Sequence, residues 1–307
     1  MSTARARQSS RHPSAWPRFR RWARQEALGA HFVLFFVLLI ILIPLLWLIG
    51  TTFKDNIEFA SNPGNVIPTR FSLVNYKYML TAVENLPVYM KNSFFVAFGT
   101  VALQVFVCSL AGYAFARMEF RFRDVIFLSI LISMFIPRSG GLMALYELMT
   151  FLKLRNNLIG LILLFGAGIP VPLFIMRQSF MAVPKEIEEA ARIDGASWFR
   201  VFARIALPIA SGGMIVIATM SFVSVWSDFL VTFTMIDRDS QMTISIGIQK
   251  ILASSYEMAL SPRFRGQFAG EAADATALLF AAIPVVTLYA VLQRWFMRGL
   301  AEGAVKF

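Results

Sequence analysis

Cysteine and histidine are nearly missing from this sequence, and their scarcity removes whole classes of chemistry. Cys108 is the single cysteine and lies inside an apolar run, so the chain closes no disulfide within itself. Both histidines, His12 and His31, stand near the N-terminus, which leaves no His/Cys cluster to ligate a metal. Charge is scarce too. Only 15% of the residues are charged against 57% hydrophobic, with 30 phenylalanines, a balance foreign to a water-soluble globule. No Gly-x-x-x-x-Gly-Lys-Ser/Thr loop occurs, so a phosphate cradle of that kind is absent. Nor does any acid/base pair or nucleophile constellation point to an enzyme.

What is present is long apolar runs. A helix needs roughly 20 apolar residues to cross the hydrocarbon of a bilayer. Residues 32–49, 93–116, 125–146, 158–176, 207–227 and 275–293 each come close, which predicts an all-α, polytopic membrane protein with six transmembrane helices. The first is longer than a signal-peptide core and no small-x-small site follows it, so it is read as a retained span. The third contains Pro137, Arg138, Gly140 and Gly141 and is expected to be broken or re-entrant at its outer end. Residues 1–30 are expected to form a disordered basic tail held near anionic lipid, with seven arginines in the first 24 residues. Residues 31–299 form the transmembrane domain and 300–307 a short polar tail.

Lysines and arginines set the orientation. With the N-terminus inside, 18 of the 29 fall in cytoplasmic segments and 11 elsewhere, which predicts both termini cytoplasmic. The net charge of +11 is read the same way, as arginines retained on one membrane face rather than as a nucleic-acid surface.

One polar stretch interrupts the apolar pattern, Pro184-Lys185-Glu186-Ile187-Glu188-Glu189-Ala190-Ala191-Arg192-Ile193-Asp194-Gly195, running on to Ile205-Ala206-Leu207-Pro208. Read locally it is two short helices and a turn. Pro184 suits a first helical position, and the glutamates favour the positive end of the helix dipole. Glu188 and Arg192 are spaced for a surface ion pair. Gly195 suits the left-handed residue that ends a helix, with Asp194 beside it. Ser197 is placed to cap the second helix, and Pro208 to close it. Residue pattern alone leaves two readings open: a connector lying on the lipid surface, or a thin helix that fits a cleft in another protein.

Glu189-Ala190-Ala191, three residues, Gly195, nine residues and then Ile205-x-Leu207-Pro208 resembles the EAA motif of ATP-driven importer permeases at every position. Thr51-Thr52-Phe53-Lys54, Ala111 to Arg117, Arg177-Gln178, Ile193 to Ala196, Trp226 to Phe229, Gln293-Arg294 and Gly299 to Lys306 are similar to landmarks of the carbohydrate members, in the style of the second permease of maltose- and trehalose-type systems. The resemblance implies a non-enzymatic inner-membrane permease of an ABC importer for a sugar, oligosaccharide, disaccharide or related polyol. In that family residues 184–208 would be a cytoplasmic helix-turn-helix coupling loop. Glu189, Ala190, Ala191, Asp194, Gly195, Ile205, Leu207 and Pro208 would then couple to the ATPase. It further implies a second permease, an ATPase dimer that binds the ATP, and an extracytoplasmic solute-binding protein as partners, with no cofactor in this chain and no nucleic acid. Asp228, a carboxylate at the outer end of a span, is the candidate on the substrate path. Rival readings are an ion-coupled secondary transporter, against which the lack of internal repeats and of several intramembrane acids counts, and an ABC permease for glycerol phosphate or another non-sugar solute.

Overall fold

Inside lipid every backbone polar group has to find its partner within the protein, and the apolar runs here do so as helices. A computed structural model describes residues 16–81, 83–136, 138–262 and 266–304, with side chains from Gly29 to Gln293 except Arg138 and Ser139. Among these residues there is no strand. In chain order the helices are α1 (Trp16–Thr51), α2 (Asn56–Ser61), α3 (Val74–Thr81), α4 (Leu86–Arg117), α5 (Arg123–Ile132), α6 (Leu142–Phe151), α7 (Leu158–Gly166) and α8 (Pro170–Met181). There follow α9 (Lys185–Ile193), α10 (Trp198–Val201), α11 (Leu207–Ile209), α12 (Ser211–Trp226), α13 (Leu230–Met235), α14 (Ile244–Leu260) and α15 (Gly270–Ala304).

Three helices are long and apolar enough to cross a membrane unbroken: Gly29–Thr51 within α1, the whole of α4, and Gly270–Gln293 within α15. Two more crossings are bent pairs, α7 with α8 at 53° and Trp198–Ile209 with α12 at 71°. The remaining expected span, residues 125–146, is α5 and α6 separated by two 3-10 turns, Ser133–Phe135 and Arg138–Gly141. Glycines in the second turn favour the break, while Pro137 lies outside the described residues. Helix starts at Trp16, inside the stretch expected to be a disordered tail over 1–30, and residues 1–15 lie outside the described set. The 300–307 tail likewise begins as helix through Ala304, its last three residues lying outside that set.

Helix α4 is the axis, packed against α7, α8, α12 and α14. It approaches α8 so closely because of Gly112: a Cβ there would stand 2.7 Å from the Met176 Cβ and 3.0 Å from the Arg177 nitrogen. Two apolar cores lie along the bundle. One, around Tyr113, Phe127, Met176, Phe180, Phe202 and Ile217, belongs to the end that carries α9. The other, around Tyr78, Tyr89, Phe165, Phe222, Trp226 and Phe268, belongs to the opposite end. Trp226 is a core residue whose Nε1 donates to the Ala281 carbonyl at 3.0 Å. By contrast α1 leans mainly on α15 and, at its end, on the segment around Pro63 and Val66, and Phe32 and Ile40 remain 64% and 69% exposed, a surface suited to lipid or another spanning helix.

The segment after α1 folds over a buried lysine. Lys54 has no exposed surface, and its Nζ donates to the carbonyls of Asn62 (2.9 Å), Pro63 (3.1 Å) and Asn65 (2.7 Å). Burial pushes its pKa down, partly offset by the charge of Glu58. Asn75 closes the turn by donating to the carbonyls of Thr52 and Lys54. Nearby, hydrogen bonding by Lys250, then Tyr89 and Asn85, holds the Asp239 carboxyl below its usual range and fixes residues 236–243 over the start of α4.

The α4–α8 contact is testable. Gly112→Val should lower stability by about 1–3 kcal/mol through overpacking, whereas Gly64→Ala, where an added Cβ meets nothing within 4 Å, should be neutral. Thermal unfolding of the two solubilised variants beside the parent separates these outcomes.

Candidate functional site

Helix α9 ends as its sequence dictates. Gly195 takes φ +84° and donates to the Arg192 carbonyl at 3.0 Å, while the Ala196 nitrogen reaches back to the Ala191 carbonyl at 3.0 Å. This pairing satisfies two carbonyls the helix end would leave open, and only glycine adopts that φ without strain. Pro184 is the N-cap, one position earlier than the expected first helical residue. Ser197 caps α10, its Oγ accepting from the Arg200 nitrogen at 3.4 Å.

Pro208 does not end the second helix. The helix continues through a π-helical turn, Phe202–Ala206, and through Pro208 to a break at Ala210. A wide turn relieves the clash between a proline ring and the carbonyl one turn back, so Pro208 is accommodated.

The largest departure from the local reading concerns Glu188. Its spacing to Arg192 predicted a surface pair, yet Glu188 is only 5% exposed and turns inward. Arg117, at the end of α4, meets Glu188 Oε1 through Nε at 2.8 Å and the Val183 carbonyl through Nη2 at 2.5 Å. Tyr113, one turn earlier on α4, donates to Glu188 Oε2 at 3.0 Å. Both oxygens of the carboxylate are thereby satisfied, as a buried charge requires. Phe180 and Phe202 pack on the Tyr113 ring at 5.3 and 5.1 Å and shield the pair from water. Arg192 lies instead over the Trp198 ring, 3.9 Å from its centroid, and so ties α9 to α10. Beside this latch Arg177 donates to the Phe115 carbonyl at 3.3 Å and stands 3.7 Å from Asp124, which joins α8 and α5 to the same end of α4.

Of the residues expected to couple, Glu189, Ala190, Asp194, Gly195 and Pro208 are exposed, and Ala191, Ile205 and Leu207 half-buried. The outward surface also carries Ile193 at 87% and Phe199 at 72% exposure, among charged neighbours. Sequence reading passed over Phe199 and gave Glu188 a surface partner. Tyr113, Arg117 and Ile193 were visible only as members of the Ala111–Arg117 and Ile193–Ala196 segments, the partner of Tyr113 and Arg117 lying far along the chain. Asp228 is not brought near this loop. Its Oδ1 accepts from the nitrogens of Val231 and Thr232, both at 3.1 Å, which is the work of a helix cap on α13.

Comparison with known proteins gives a consistent picture. The family model described as "Binding-protein-dependent transport system inner membrane component" matches residues 104–302. The chain is 29% identical over 276 residues to the arabinooligosaccharides transport system permease protein AraQ of Halalkalibacterium halodurans, covering 88% of this chain and 93% of that one. It is 31% identical over 216 residues to the maltodextrin transport system permease protein MdxG of Bacillus subtilis, covering 70% and 74%. Among solved structures, a chain of a bacterial ABC transporter involved in the import of alginate superposes with a TM-score of 0.79 at 19% identity, covering 90% of this chain and 98% of that one.

The latch makes a double-mutant prediction. Arg117→Met leaves the Glu188 carboxylate buried without its cation and should cost about 3–5 kcal/mol. Adding Glu188→Gln should recover a measurable part, with a coupling of about 0.5–3 kcal/mol in a thermal-unfolding cycle. Additive losses would show that the two side chains do not act as a pair.

Proposed function

Because this chain belongs to the binding-protein-dependent transport system inner membrane components, we propose that it is a permease subunit of an ABC importer that carries a sugar, with α9 as the helix that docks on the ATP-hydrolysing partner. The carrying observation is the two-sided character of α9. Its inner face is clamped to α4 through Glu188, and its outer face offers Glu189 and Ile193, continued by Asp194 at its end and by Phe199 of α10. Apolar side chains that exposed beside charged ones fit a protein cleft. Burying Ile193 and Phe199 there would contribute about 1.5–3 kcal/mol each.

On this reading a movement of the ATPase subunits pulls α9, and the latch passes it into α4 and thence into the spans packed on α4. Glu189, Ala190 and Ala191 meet the partner, Gly195 sets the angle between α9 and α10, and Ile205, Leu207 and Pro208 carry the movement toward α12. The partners are an ATPase dimer, a second permease and an extracytoplasmic solute-binding protein. The saccharide class rests on the permeases of arabinooligosaccharide and maltodextrin systems, which align over most of the chain. Both termini and the α9 loop face the cytoplasm, where ATP is. Reporter fusions at Ile57 and Ser240 should therefore read outside and one at Glu186 inside, and an external Glu186 would end this reading.

Docking is tested by two substitutions. Space around Gly195 is open, with nothing within 4 Å of where a Cβ would stand, so Gly195→Asp strains the turn through its positive φ, by roughly 1 kcal/mol or more, and adds a negative charge beside Asp194. Glu189→Lys removes a charge favoured near the helix start and reverses it at the docking face. Each variant should insert normally yet lose ATPase copurification or the hydrolysis stimulated by loaded binding protein. Full retention of both measures in both variants would return the loop to a surface connector.

A further inference from the structure

Two prolines give the fourth span an unusual acceptor. In a continuous helix the Gly168 carbonyl would accept from the nitrogen four residues on, but that residue is Pro172, which has no N–H. The Phe165 carbonyl accepts from the Gly168 nitrogen at 3.0 Å, because the Ile169 nitrogen turns to Ala167, and keeps a lone pair for a second donor. One side chain from another span reaches both carbonyls. Gln104, in the middle of α4 and 5% exposed, donates through Nε2 to Phe165 O at 2.9 Å and to Gly168 O at 3.0 Å. Its Oε1 accepts from the Ser221 hydroxyl of α12, itself buried. A single amide thus joins three crossings at the 53° bend between α7 and α8. A cavity of about 540 Å³ opens at the same place, lined by Gln104, Gly168, Pro172, Met220, Ser221 and Ser224 among others, with no charged side chain among the described residues.

We propose that Gln104 is a positioning residue for transport: its amide pins the α7–α8 bend by supplying the donor that Pro172 withholds, and so sets the shape of the cavity at the bend. This rests on the permease reading. In it, the bend is the joint that changes between states of the transporter, and Gln104 and Ser221 define the state described here. Backbone acceptors in lipid surroundings do not stay open, so removing the amide frees the joint to take other angles.

The test measures the bend itself. In the assembled transporter, with Cys108→Ser as background, spin labels at Ile159 and Met181, both half or more exposed, bracket the joint. Their distance in the parent should be narrow without nucleotide and should shift when ATP and vanadate trap the closed ATPases. Gln104→Leu should broaden the nucleotide-free distribution and lose the shift, and Ser221→Ala should do so to a smaller degree. Pro172→Ala restores a backbone N–H opposite Gly168, so the effect of Gln104→Leu should shrink in that background. ATPase copurification should persist in Gln104→Leu, which separates this idea from the docking reading, whose failure shows in copurification. A parent distance that never shifts would overturn the proposal. So would parent-like distances in Gln104→Leu, or effects of Gln104→Leu and Pro172→Ala that simply add.

Discussion

The ion pair between Arg117 and Glu188 carries much of the arrangement at the α9 end. Two charges with 7% side-chain exposure would be costly if either lacked its partner, so their burial fixes where α9 lies against α4. Two further bonds sharpen that position: Tyr113 takes the second carboxylate oxygen, and the Val183 carbonyl takes the free edge of the guanidinium. A surface pair between Glu188 and Arg192 would have stabilised α9 by only a few tenths of a kcal/mol and anchored it to nothing. The inward turn of Glu188 converts a local helix into a lever attached to the central span.

The same rule, that no polar group goes unanswered away from water, explains the irregular places elsewhere. Three of these places have a named side chain beside them. Gln104 meets the carbonyls at the α7–α8 bend, Asn157 accepts from the Ile159 nitrogen where α7 begins, and Asp228 accepts from Val231 and Thr232 where α13 begins. Lys54 does the reverse work, an ammonium collecting three loop carbonyls with no exposed surface. These contacts let the chain bend and loop at membrane depth and near its margins without opening its backbone.

Local rules made the helical class, most of the spans and the geometry of the α9 turn legible from sequence. Gly195 at a helix end and Ser197 before the next helix need only neighbours within a few residues, and both stand as read. Misplacements came from interactions between distant segments. Glu188 has a partner 71 residues away. Nothing in local spacing distinguishes it from a surface glutamate. Pro208 was read as a terminator because an α-helix cannot hold it, whereas the π-helical turn before it makes room. Asp228 drew notice as an acid near lipid, and the nitrogens of Val231 and Thr232 that its Oδ1 accepts from lie within a few residues of it.

Glu188 and Glu189 are adjacent and chemically identical, yet the helix places them on different faces, and the docking role proposed for α9 depends on that difference. Held only by its contacts to a partner, so short a helix would be free to rotate about its axis. The buried neighbour removes that freedom. With Glu188 held by Arg117 and Tyr113, the orientation of Glu189 follows from helix geometry, and so does that of Ile193 one turn further on. The Arg192–Trp198 stack extends the constraint to α10, whose Phe199 joins the same exposed surface. On the proposed docking role, force applied to that surface would pass inward through Arg117 into α4, the helix against which α7, α8, α12 and α14 all pack.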